Sequence, residues 1–183
     1  MNEKKHVKFS GRLVIVGFGS VGQGTLPLLL RHIDMPQNRI CILTGDTRGK
    51  DEARHFGIKF NVKPLTRENY KQVLEPLIGK GDFLLNLSVE VSSVDLIEFC
   101  VRRGAMYLDT CIEPWLGGYY DTSITASRRS NYGLREEVVA LRRKYPNGST
   151  VIPTHGANPG LISHWVKQGL INLSRDKIGR AHV

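Results

Sequence analysis

The sequence predicts an α/β protein built on a doubly wound parallel sheet, and three observations carry that reading. Short apolar runs alternate with longer amphipathic stretches along most of the chain. The first apolar run breaks into a glycine-rich turn that opens a helix. The later runs each end in polar residues rather than in more hydrophobic sequence. Strand–helix alternation of this kind gives βαβ units, whose helices cover both faces of a parallel sheet.

The elements follow in order. Residues 12–16 (RLVIV) are a short apolar run stopped by glycine and read as a buried strand. Residues 21–31 carry apolar positions at helical spacing, with Pro27 as the flaw. Residues 40–43 predict a second strand and residues 58–60 a weak third, with a helix over 51–55 between them that Gly57 stops. Thr66 opens TRENYKQVLEPLI, predicted as one helix with the threonine capping its first turn. Residues 83–87 form the next strand, after which Ser92 or Ser93 caps VDLIEFCVRR. Residues 106–108 are a strand ending at Asp109, residues 131–145 a strong helix, 150–152 a strand and 161–172 a last apolar helix.

Composition narrows the function classes. The 183 residues suit one domain, and 40% hydrophobic content excludes a disordered chain. No apolar run reaches the ~18 residues of a membrane helix, and the polar start MNEKKHVKFS is no signal peptide. Lys and Arg exceed Asp and Glu by 26 − 17, a net charge of +9, which raises the question of nucleic acid. The basic residues are scattered, and no zinc-finger, homeodomain or RNA-binding signature is present, so nucleic acid is not the expected partner. Cys41, Cys100 and Cys111 lack metal or disulfide spacing and read as reduced thiols of a cytoplasmic protein; no metal site is expected.

Directly after the first strand stands GFGSVG, residues 17–22, the spacing GxGxxG in its required strand-to-helix context. Gly17 permits the tight turn, Gly19 lets the backbone approach a pyrophosphate, and Gly22 allows helix and strand to pack closely. The amides at Ser20 and Val21 lie at the positive end of the helix dipole, where phosphate oxygens bind. This is the dinucleotide loop of a Rossmann-type sheet. The expected ribose partner is an acid near the tip of the second strand. Here Thr44 occupies the tip and Asp46 follows two residues later, which favours NAD; Arg48 could instead face the 2′-phosphate of NADP.

In open sheets of this type ligands bind outside the carboxyl ends of the strands. There the sequence places Asn86, Ser88 and Glu90, then Asp109, Thr110, Cys111, Glu113 and Trp115, then His155 and Asn158. Asn86, Ser88 and Thr110 are expected against the cofactor. Glu90, Glu113 and Asn158 are expected to converge beside it, two carboxylates on one rim implying a cationic ligand because a buried carboxylate needs one. Trp115 either stacks on that cation or packs beneath the rim. His155 has two readings, a general base or a structural hydrogen-bonding group, and Cys111 has no neighbour that would activate it.

The segments VGFGSVGQGTLPLL, NLSVEVSSVDLIEFC, YLDTCIEPWLGGYY, RSNYGLREEV and HGANPGLISHWVKQGL together resemble the bacterial homospermidine synthase family, related to the saccharopine dehydrogenase-like group. The resemblance runs from about Leu13 to Asn172. It implies an NAD-dependent transferase of polyamine biosynthesis that joins two putrescines with release of ammonia, the hydride being borrowed and returned by retained NAD. It implies Glu113 of EPWLG and Asn158 of GANPG as active-site residues, Glu90 as the counter-charge for a distal ammonium, and a homodimeric full-length protein. The family's sheet domain is followed by a large substrate and dimerisation region. The expected division is therefore a dinucleotide-binding domain over residues 1–175 and a non-native tail over 176–183. The tail's last residues, IGRAHV, match one reading frame of a common sequencing adapter, so a fragment limited to NAD binding is expected. Two other readings compete: a dehydrogenase of amino acids such as saccharopine, which would want arginine at the rim, and a non-catalytic dinucleotide-binding module.

Overall fold

A computed structural model of the chain describes residues 5–178. In chain order its regular elements are β1 (Val7–Lys8), β2 (Leu13–Val16), α1 (Ser20–His32), β3 (Ile33–Asp34), β4 (Ile40–Thr44), α2 (Lys50–His55), β5 (Lys59–Val62), α3 (Tyr70–Leu74), β6 (Phe83–Asn86), α4 (Ser93–Arg103), β7 (Met106–Asp109), α5 (Asn131–Lys144), β8 (Val151–Ile152) and α6 (Leu161–Ile178). Six strands form one parallel sheet in the order β5-β4-β2-β6-β7-β8. Chain order reverses between β2 and β6, so the crevice above those two strands is the topological switch point.

Each central strand is apolar on both sides because each side meets a helix layer. Leu13 and Ile15 of β2 pack with Leu26 of α1, Ala53 of α2 and Ile42 of β4. Val14 and Val16, pointing the other way, pack with Val73 of α3, Leu96 and Ile97 of α4 and Leu134 of α5. The period-two alternation of a strand thus feeds two cores at once. Each fully buried Leu or Ile contributes roughly 1.5–3 kcal/mol to cohesion.

The structure departs from the sequence reading at three places. The helix predicted from Thr66 onward is reduced to α3, because Pro76 ends it and the residues before Tyr70 form a turn. In that turn the Thr66 amide donates to Asn69 Oδ1 at 2.9 Å, and the threonine hydroxyl accepts from the Asn69 amide at 3.3 Å. The small parallel pair β1–β3 was not anticipated; at two residues each, its strands show no periodicity. Ser92 is the cap of α4, accepting from the Asp95 amide at 3.2 Å. The last helix reaches Ile178, beyond the expected end at residue 172, and its side chains from 161 to 176 are all exposed. Within the expected tail, residues 179–183 lie outside the described residues.

At the end of the sheet opposite the crevice, Asp82 ties the starts of β2 and β6 together. Its carboxylate accepts from the Arg12 amide at 2.7 Å, Arg12 Nε at 2.9 Å and the Gly79 amide at 2.8 Å, and pairs with Arg12 Nη2 at 2.7 Å. Burial pushes this carboxyl up, but the bonds from Arg12 and Gly79 outweigh it and hold the group below its usual range. A depressed carboxylate stabilises the fold above its unfolded pKa, and that stability is lost as pH falls through the folded value. Asp82→Asn should cost about 1–2 kcal/mol at neutral pH, allowing for solvent at the half-exposed Arg12. The variant should also lose less stability than the parent below about pH 4 in acid titrations of thermal unfolding.

Candidate functional site

The glycine loop forms as its spacing requires. Gly17 has φ of +85°, a left-handed conformation, and a Cβ there would lie 2.6 Å from the Ser88 amide nitrogen and 2.7 Å from the Leu87 carbonyl carbon. The turn after β2 is therefore pressed against the turn after β6, and only glycine fits. A Cβ on Gly22 would meet Phe18 at 3.0 Å and the Gly17 carbonyl oxygen at 3.1 Å, so α1 sits tight on the loop. Gly19 is different. Its ideal Cβ would meet nothing within 4 Å, which leaves an open face in front of the first turn of α1.

That first turn carries no side-chain cap, whereas α4 and α5 are each capped by a serine hydroxyl. Uncapped amides at Ser20 and Val21, with both residues exposed, make an anion-binding terminus. Open space at Gly19 and a close turn at Gly17 fit a dinucleotide's pyrophosphate.

Beside the loop is a cavity of about 790 Å³ over the carboxyl ends of the strands. Val16 and Gly17 of the β2 turn, Thr44 and Gly45 after β4, Ser88 and Glu90 after β6, and Trp115 after β7 line it. Lys63 and Arg67, from the loop after β5, line its far side. Glu90 is exposed, with φ of +61°, so its carboxylate stays in water and needs no cation to offset burial. The expected convergence is not found in this cavity, because Glu113, Asn158 and Thr110 lie outside its lining.

Asp46 and Arg48, proposed as alternatives, are bound to each other. The Arg48 amide, Nε and Nη2 reach the Asp46 carboxylate at 2.8, 2.9 and 2.7 Å. These bonds hold the Asp46 carboxyl below its usual range. Neither side chain lines the cavity.

Glu113 is half-buried, and Ser93 fixes its backbone from both sides. The Glu113 amide donates to Ser93 Oγ at 3.1 Å, and the Ser93 amide donates to the Glu113 carbonyl at 2.8 Å. Burial, then the Glu113 charge, pushes the Cys111 thiol up to about 11. The same causes raise the Tyr119 hydroxyl to about 12. The Glu113 side chain thus stands beside a thiol and a phenol that keep their protons, and its acidic group there is suited to facing positive charge. Cys111 is a thiol, not a nucleophilic thiolate.

Asn158 is exposed in a turn closed by the Gly156 amide on the Pro159 carbonyl at 3.0 Å, with a cis Asn158–Pro159 bond. Gly160, at φ of +123°, would place a Cβ 2.3 Å from the Gly156 carbonyl oxygen, so the turn requires glycine. Thr110 packs under it, 3.2 Å from where a Gly156 Cβ would stand. The His155 ring is exposed and lies 5.6 Å from that of His164, while its amide donates to the Asp109 carbonyl at 2.8 Å. Trp115 packs in the core, its Nε1 donating to Asp95, and touches the cavity from beneath.

Sequence reasoning missed the buried polar centre. Asp109, read only as a strand tip, is fully buried, and Tyr107 and Ser93 are buried beside it. The available signal was register: Asn86 and Asp109 face each other across β6 and β7, with Tyr107 two residues back on the same side.

A family model described as the saccharopine dehydrogenase NADP binding domain matches residues 13–152. The chain belongs to the saccharopine dehydrogenase NADP-binding domain family. Curated proteins that the chain resembles include homospermidine synthases from Blastochloris viridis and Mesorhizobium japonicum, each 42% identical over 172 residues. These alignments cover 92% of the chain but 36% of each relative, so this member of the family spans little more than a third of their length. The crystal structure of homospermidine synthase from Legionella pneumophila, in complex with NAD, superposes with a TM-score of 0.83 at 37% identity. It covers 94% of this family member and 35% of that chain.

Proposed function

We propose that the chain is the NAD-holding part of a homospermidine synthase that uses putrescine. The observation that carries this reading is the open, uncapped start of α1 at Gly19, beside a cavity that Gly17, Ser88 and Glu90 share. The likeness to the curated synthases supplies the substrate class. Lys63 and Arg67 line the side of the cavity reached by the β5 loop, while the β6 turn offers Glu90. Glu90, Glu68 and Asp121 on this lining suit a diamine, whereas Lys63 and Arg67 are the cations that the amino-acid dehydrogenase reading asks for, so product analysis decides between them.

In this reading Gly17, Gly19 and Gly22, with the Ser20 and Val21 amides, hold the pyrophosphate, and Thr44 with Asp46 holds the ribose. Asn86, Ser88 and Thr110 orient the nicotinamide end. Held there, NAD would supply a hydride acceptor for the amine-bearing carbon and, once reduced, a hydride donor to the imine formed with the second amine. Glu113 takes a proton from the reacting amine and faces the positive charge that then develops. Glu90 holds the distal ammonium and Asn158 orients the amine. The full-length protein is a cytoplasmic homodimer.

The test is calorimetric titration of the chain with NAD and with NADP, and product analysis of the relatives-length protein given putrescine and catalytic NAD. NAD should bind more tightly than NADP, and homospermidine should form without net NADH. Asp46→Ala should weaken NAD roughly tenfold, the scale of a charge-assisted hydrogen bond. Tighter NADP binding would assign the ribose site to Arg48, and NADH accumulating with an amino acid would favour the dehydrogenase.

A further inference from the structure

Behind Asn86 and Ser88 lies a buried polar centre whose other two members, Tyr107 and Asp109, carry none of the roles assigned above. Asn86 Nδ2 donates to Tyr107 Oη at 3.1 Å, and Tyr107 Oη donates to Asp109 Oδ2 at 2.8 Å. The other carboxylate oxygen, Oδ1, accepts from the Thr154 amide at 2.5 Å. At the opposite end Asn86 Oδ1 accepts from the Ser88 amide at 3.2 Å and the Ser88 hydroxyl at 2.6 Å. Asn86, Tyr107 and Asp109 are each at most 2% exposed.

The chain of bonds therefore runs without a break from the turn after β6 to the turn after β8. The first of these turns is the one against which Gly17 is pressed. The second begins at Thr154, a non-glycine residue at φ of +59°, and carries Asn158. A left-handed threonine is strained and persists only where its surroundings dictate it. Two bonds to one residue do so here: the Thr154 amide to the Asp109 side chain and the His155 amide to the Asp109 carbonyl. Burying a carboxylate for packing alone would be unfavourable, since an apolar side chain of similar size would cost less. What an apolar residue cannot supply is a rigid link between two backbone turns.

We propose that Tyr107 and Asp109 are positioning residues, a buried brace that fixes the Ser88 turn, against which the dinucleotide loop is pressed, relative to the Thr154 turn that presents Asn158. The claim for the dinucleotide rests on the NAD reading above, whereas the claim for the two turns rests on the bond network alone.

Tyr107→Phe removes one hydroxyl and keeps the ring in the core, and Asp109→Asn keeps the shape while removing the charge. Both are made in the 183-residue chain, with Ile97→Val as a core control of mild destabilisation. In either brace variant, amide hydrogen exchange at Ser88 and Thr154 should rise at least roughly fivefold more than at Leu84, the weight of one hydrogen bond. NAD affinity should fall roughly fivefold on the same scale, while the Ile97 control leaves both unchanged. If one brace variant fails to fold, the other decides. Lowered melting temperatures with exchange at Thr154 and Ser88 rising only as much as at Leu84 would overturn the brace. Should the parent chain bind no NAD, the dinucleotide reading falls, and the exchange comparison still decides the brace.

Discussion

Gly19→Val should nearly abolish NAD binding while thermal unfolding stays close to that of the parent chain. The backbone at Gly19, φ −75° and ψ −159°, is extended and open to any residue, and an added Cβ meets no atom of the protein. The branched side chain stands instead in the space before the α1 amides, where a phosphate would bond. Losing two hydrogen bonds to a charged group, at about 1.5 kcal/mol or more each, weakens binding about a hundredfold. Calorimetry against NAD and a melting curve read the two effects separately. Unchanged affinity would remove the loop from the binding site. Gly17→Ala is the contrasting case, since its Cβ would collide with the Ser88 backbone; there the melting temperature should fall.

The second large effect concerns Glu113→Gln in a chain completed to the length of the curated relatives. Pro114 restricts Glu113 to extended backbone, and Ser93 fixes its amide and carbonyl, so the carboxylate is aimed by groups that the substitution leaves alone. Glutamine preserves shape and removes charge and basicity. Homospermidine formation should fall ~10²–10³-fold, as for loss of an electrostatic stabiliser, with NAD affinity retained. Full turnover in the variant would exclude Glu113 from the chemistry. The 183-residue chain alone should bind NAD without forming product.

The sheet was legible because its strands are buried on both sides. LVIV, ICIL and FLLN are nearly unbroken apolar runs, and a parallel strand covered by helices has no other pattern. The glycine loop was legible because three different steric demands fall on three glycines at fixed spacing. Side-chain direction was less legible. Reading Glu90, Glu113 and Asn158 as one cluster assumed that strand ends converge. The turn after β6 carries Glu90 into water, while Glu113 points back toward Cys111 and Tyr119. Asp46 and Arg48 read from sequence as rivals for the ribose, yet opposite charges two residues apart pair readily in a turn, as they do here. The Asn86–Tyr107–Asp109 network escaped notice because it depends on strand register, which no single segment reveals.

The exposed α6 has a thermodynamic consequence. With its side chains from 161 to 176 all exposed, Trp165 and Leu170 among them at 63% and 62%, it draws little stability from packing. An unsupported helix of this length is marginal in water, since nucleation is costly and propagation barely favourable. The chain therefore holds two cooperative units. One is the sheet with its covering helices, which melts as a whole. The other is a terminal helix, expected to open and reclose at a much lower free energy than the sheet. A calorimetric transition of this chain should therefore report mainly the first unit.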